Sequence, residues 1–253
     1  MAADLVAAAD WRDPQAFEAL VAGDRACFAW EWLRRSPSYV EAWATGGLPA
    51  AFGLLRFEDP TLGAIAARPF WHADANRAVL RAEMFAPGEA ALRGLARLAH
   101  LVTRIAPASD NACEHILLSD GLRSIRIDLM ARGSAGVPGK LRWHIDGVLE
   151  AGPQLLALRQ LMALARTGCF ARSLHPPERR ARRWIDMLRV HDAIAGGATY
   201  REIARELFSI DVTGSGWRLA AGSWRLRVQR LAAAARRCIA MGPIGWLGGP
   251  GDR

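Results

Sequence analysis

The chain has 253 residues, 51% of them hydrophobic, and 33 basic against 25 acidic side chains give it a net charge of +8. That length fits one or two domains, and that composition excludes general disorder. Charges interrupt every apolar run before membrane-spanning length, and residues 1–10 carry acids where a signal peptide needs a basic start, so a cytoplasmic protein with no membrane partner is expected.

Residues 1–45 read as a helical module rich in tryptophan, with Trp11, Phe17, Leu20, Trp30, Trp32, Leu33 and Trp43. Asp24 is placed as an N-cap, Ser36-Pro37 as a stop, and Ser38 with Glu41 as a capping box. Such large rings serve packing first. They also suit a surface that docks RNA polymerase or a regulatory protein. Gly46-Gly47-Leu48-Pro49 marks a boundary, and residues 48–167 change texture.

Short strands are expected over 52–57, 69–72 and 78–85, then a helix opened by Pro87-Gly88 in which Leu92, Leu95, Ala99 and Val102 keep helical spacing. Ser119-Asp120-Gly121-Leu122 is a hairpin turn within 115–130. A glycine-proline loop over 133–139, a strand over 141–148 and a helix over 153–167 complete a small α+β domain. Leu155, Leu158, Met162 and Ala165 lie along one face of that helix.

After a linker over 168–177, residues 178–247 follow the order of a helix-turn-helix unit. Trp184, Leu188, His191 and Ala195 give the first helix an apolar face, and Gly196-Gly197 stop it. Thr199-Tyr200-Arg201-Glu202 is a capping box for a second helix carrying Ile203 and Leu207. A long loop or wing over 209–222 leads to Ser223 as N-cap of a third helix, with Trp224, Val228, Leu231, Ala235 and Cys238 on one side. Arg225, Gln229 and Arg236 form one outer stripe, and Arg230 and Arg237 another.

Charge coincides with this unit. Residues 1–165 hold 17 basic and 18 acidic side chains, whereas 166–240 hold 15 and 6. Such an excess suits the phosphates of double-stranded DNA. The candidate DNA-binding residues are Thr199, Tyr200, Arg201, Ser223, Arg225, Arg227, Gln229, Arg230, Arg236 and Arg237, with Arg225 and Gln229 placed to read base edges. The expected fold class is α+β, with a helical N-terminal module, a small α+β middle domain and a C-terminal all-helical helix-turn-helix variant.

Groups for catalysis are thin. His72 and Asp74, and His144 and Asp146, are spaced two apart, and Cys113-Glu114-His115 groups three possible metal ligands. No nucleotide-binding loop, nucleophile elbow or zincin motif is present. Cys27, Cys113, Cys169 and Cys238 are scattered, which suits reduced thiols. No enzyme, catalytic residue, metal or cofactor is expected.

Asp10-Trp11-Arg12-Asp13, then Phe28-Ala29-Trp30-Glu31-Trp32-Leu33-Arg34-Arg35, together with 188–208 and 223–237, resemble the proteobacterial transfer regulators of the FseA/QseM type, catalogued as a domain of unknown function. The resemblance implies a basic helix-turn-helix variant at the C-terminus and control of excision and conjugative transfer of integrative and conjugative elements. With its Trp-rich part and middle domain, the chain is similar to the full-length activator form. Two other readings remain open: a protein-binding antiactivator, and a replication or partition protein of a mobile element.

Overall fold

A computed structural model describes residues 10–85, 98–105, 113–132, 140–148, 150–209 and 216–248. The first described element is a 3-10 helix, Gln15–Ala22, followed by α1 (Arg25–Leu33) and α2 (Pro37–Thr45). Asp24 caps α1, its Oδ1 accepting from the Cys27 amide at 3.0 Å. Pro37 opens α2 at a first-turn position that needs no amide donor. Ser38 therefore falls inside the first turn and bonds the Ser36 hydroxyl, so the capping box expected at Ser38 and Glu41 does not form.

Residues 52–57 and 69–72 are not strands. Gly53, at φ +67°, turns the chain after a short 3-10 helix, and the two stretches share a single backbone bridge, Leu54 to Trp71. Their apolar side chains are those of a buried loop: Leu54, Phe70 and Trp71 are each 2% exposed or less.

The sheet holds β1 (Leu80–Phe85), β2 (Val102–Ile105), β3 (Cys113–Ser119), β4 (Ser124–Arg132) and β5 (Lys140–His144), in the order β2-β3-β4-β1-β5. Only β1 and β4 run parallel. The hairpin at 119–122 forms as expected, with Asp120 Oδ1 accepting from the Leu122 and Arg123 amides. The helix expected after Pro87 starts outside the described residues, and its far end differs: Ala99–Leu101 is a 3-10 turn and Val102 begins β2. The 133–139 loop also lies outside them.

Helix α3 (Gly152–Thr167) covers the apolar sheet face through Ala157, Leu161 and Leu164, which join Leu80, Ile116, Leu118, Ile125, Ile127 and Leu129 in one core. The expected face is only partly the inner one: Leu158 packs against this core, but two other members point outward. Leu155 and Met162 are 48% and 59% exposed, while Gln154 is buried because its side chain accepts from the Asp146 amide.

A second core unites the two ends of the sequence. Phe17, Phe28, Trp30, Trp32 and Tyr39 pack with Trp184, Leu188, Ile203, Val228, Leu231, Ala235 and Trp246, which come from the C-terminal helices α4 (Ala181–Ala195), α5 (Tyr200–Phe208) and α6 (Gly216–Leu247). Buried ion pairs lock it. Arg35 grips Asp192 through Nε to Oδ1 and Nη2 to Oδ2, each 2.7 Å, and also pairs with Glu31. Glu31 in turn holds Arg34 at 2.7 Å and the Ala64 amide at 2.7 Å. Arg189 of α4 donates to the Trp11 carbonyl at 2.7 Å.

Candidate DNA-binding face

The C-terminal helices form because the local signals agree. α4 ends as Gly197 takes φ +80°, a conformation that suits glycine. The Thr199–Glu202 capping box then starts α5: the Glu202 amide donates to Thr199 Oγ1 at 3.3 Å and Glu202 accepts from the Thr199 amide at 2.7 Å. These bonds to Thr199 lower the Glu202 carboxyl below its ordinary range. Ile203 and Ala204 are fully buried, and α5 packs against both α4 and α6.

Helix α6 starts at Gly216, so Ser223 lies in its interior and is not its N-cap. The expected long loop shrinks accordingly, since 216–222 continue the helix. Arg225 and Gln229 consequently stand about 14 and 20 Å along the helix from its first residue, away from its N-terminal turn. Helical order breaks at Gly242, φ +70°, followed by Pro243. That break lets Trp246 turn back into the core, where it lies 4.6 Å from the Trp184 ring and donates to the Cys238 carbonyl at 3.0 Å.

One side of α6 is core: Val228, Leu231, Ala232, Ala235 and Cys238 are all buried. Arg225, Arg230, Arg236 and Arg237 are exposed on the rest of its surface, and Gln229 is half-buried. Arg227 is exposed but engaged, its guanidinium 4.0 Å above the Phe208 ring, which itself stacks on Trp224. On α5, Thr199 and Arg201 are exposed and Tyr200 packs against the core. Arg179, Arg180, Arg182 and Arg183, at the start of α4, add exposed charge that the helix pattern did not single out. Their only signal in the sequence was the regional charge excess.

Of the two spaced pairs in the middle region, one meets and the other is divided between different partners. His72 and Asp74 meet at 3.2 Å on the surface. Asp146 pairs with Arg81 at 2.7 Å, and His144 faces Glu83 at 3.5 Å. The close pair is instead His115 and Asp128, 2.6 Å apart across β3 and β4, with Arg126 2.7 Å from the same Asp128 oxygen. Burial, reinforced by the Asp128 charge, pushes the neighbouring Cys113 thiol up to about 11. Sequence spacing could not signal this pair because strand register creates it.

Two family models match the chain. Residues 10–51 match the proteobacterial transcriptional regulator-like domain. Residues 146–242 match the RovC-type DNA-binding domain, described as that of a T6SS transcription factor. These domains indicate a DNA-binding transcriptional regulator. The second match ends at Gly242, where the regular part of α6 stops, and so contains the whole exposed arginine face. No curated protein and no solved structure matches the chain. Among the described residues, no helix is long and apolar enough to cross a membrane.

Proposed function

We propose that the protein is a cytoplasmic, non-enzymatic transcriptional activator that controls excision and conjugative-transfer genes of an integrative mobile element. The observation that carries the DNA part is the division of α6: its buried seam fixes the helix while Arg225, Arg230, Arg236 and Arg237 face outward within the matched DNA-binding domain. The resemblance to FseA/QseM-type regulators supports the target genes. In this reading residues 178–247 bind the duplex as a helix-turn-helix variant, 48–167 form the middle domain, and 1–45 contact polymerase or a regulatory protein. With Trp11, Trp30 and Trp32 buried, such a contact draws on other residues of that segment.

The test is fluorescence anisotropy of the full chain on its upstream genomic duplex and on a scrambled one, across a salt series. Preference for the native duplex, with log affinity falling steeply against log salt, is the expected result. Failure to bind either duplex at low salt would refute the activator reading and favour a protein-binding antiactivator.

A further inference from the structure

The sheet face opposite α3 brings a thiol, an imidazole and a carboxylate together. Alternation along β3 sets Cys113 and His115 on the same side, and the register places Asp128 directly opposite His115. One ligand atom from each of the three lies within 4.8 Å of the other two, and all three residues are half-buried and reachable from solvent. We propose that Cys113, His115 and Asp128 bind one thiophilic divalent cation of the zinc class.

The donor set selects the ion. A thiolate and an imidazole with a single carboxylate suit zinc, whereas magnesium and calcium require oxygen ligands. Tetrahedral zinc with ordinary bond lengths holds its ligand atoms about 3.3–3.6 Å apart, so His115 Nδ1 and Asp128 Oδ1, now 2.6 Å apart, open by about 0.7 Å to admit the ion, with the Cys113 thiolate completing the set. Three protein ligands leave the fourth position for water. Arg126 now supplies the positive charge, with Nη2 2.7 Å from Asp128 Oδ1 and 2.9 Å from His115 Nδ1. A divalent ion replaces that charge at the carboxylate, and Arg126 keeps its bond to the Ile127 carbonyl. The site is separate from the basic face and does not depend on the DNA reading.

The experiment titrates Co2+ into reduced, chelator-treated full-length protein and follows its absorption. Saturation at one equivalent, with a thiolate-to-cobalt charge-transfer band and intense tetrahedral d–d bands that Zn2+ abolishes, is expected. C113S should lose the charge-transfer band, D128N should bind about tenfold more weakly or worse, and C169S, which removes an exposed thiol, should behave as wild type. Circular dichroism checks folding, and if C113S does not fold, H115Q should bind Co2+ about tenfold more weakly or worse. Absence of a saturable band in the wild type, or its persistence in folded C113S, would overturn the proposal.

Discussion

The Arg35–Asp192 pair joins residues 157 positions apart and offers the sharpest test of the shared core. Its two parallel 2.7 Å bonds sit where both side chains are 3–4% exposed. Removing one partner of such a buried pair costs about 3–5 kcal/mol, chiefly by stranding the other charge. Asp192→Ala leaves Arg35 beside Glu31 and should fall near the lower end, about 3 kcal/mol. Arg35→Met removes the bidentate partner of Asp192, leaving it His191 at 3.2 Å, and leaves Glu31 to Arg34 and the Ala64 amide, so about 4 kcal/mol is expected. The double variant Arg35→Met/Asp192→Leu should lose less than the sum by about 2–3 kcal/mol. Urea unfolding followed by tryptophan fluorescence reads the whole core, since Trp30 and Trp32 of α1 and Trp184 and Trp246 of the C-terminal helices all belong to it. Strict additivity, or a loss below about 1 kcal/mol in either single variant, would refute the reasoning.

Acid should reveal the same clamp. Burial alone would raise the Asp192 carboxyl, but Arg35 reverses this and holds it at about 2. The folded value lies below the unfolded one of about 3.9, so its stabilisation is complete above that pH and disappears as pH falls through about 2. Asp192→Asn should flatten the unfolding free energy across that window. Trp246→Ala should cost about 3–5 kcal/mol in urea unfolding, because its ring fills the junction between Trp32 and Trp184. Thr199→Ala should cost about 1 kcal/mol while leaving the salt dependence of DNA binding unchanged. Arg237→Ala should leave stability within about 0.5 kcal/mol and lower the log–log salt slope of DNA binding by about 0.9, as loss of one phosphate contact requires.

Local chemistry was legible in the sequence; long-range pairing was not. Asp24, the Thr199–Glu202 box and the 119–122 turn each satisfy nearby backbone groups, so a few residues suffice to read them. Residues 52–57 and 69–72 misled because a buried loop and a buried strand share an apolar composition, and only chain direction after Gly53 separates them. Helix α3 misled in part for a related reason: Leu158 packs on the core, but Leu155 and Met162 keep the same spacing on the exposed side, and the buried Gln154 reads as polar until Asp146 satisfies it. Ser223 looked like a cap because serine is a favoured N-cap ahead of an apolar-periodic run, yet the chain is helical from Gly216 onward. On the candidate face, the arginines of α6 were readable from 3.6-residue periodicity, whereas Arg227's commitment to Phe208 depends on how α5 packs.

Under the proposed reading, the arrangement around α6 ties recognition to stability. α1, α4 and α5 all pack against this helix, so the N-terminal tryptophans support the same element that carries the exposed arginines. A helix fixed on one side by a core keeps its outer groups in place, and less ordering entropy is lost when they meet phosphates. The two sides should therefore separate under mutation: Val228 or Ala235 changes should reach DNA affinity only by loosening the fold, and Arg230 or Arg236 changes without loosening it. A substitution at Trp32 belongs with the first group, although it is some 200 residues from the arginines in sequence, because its ring stacks on Trp246 at the far end of α6.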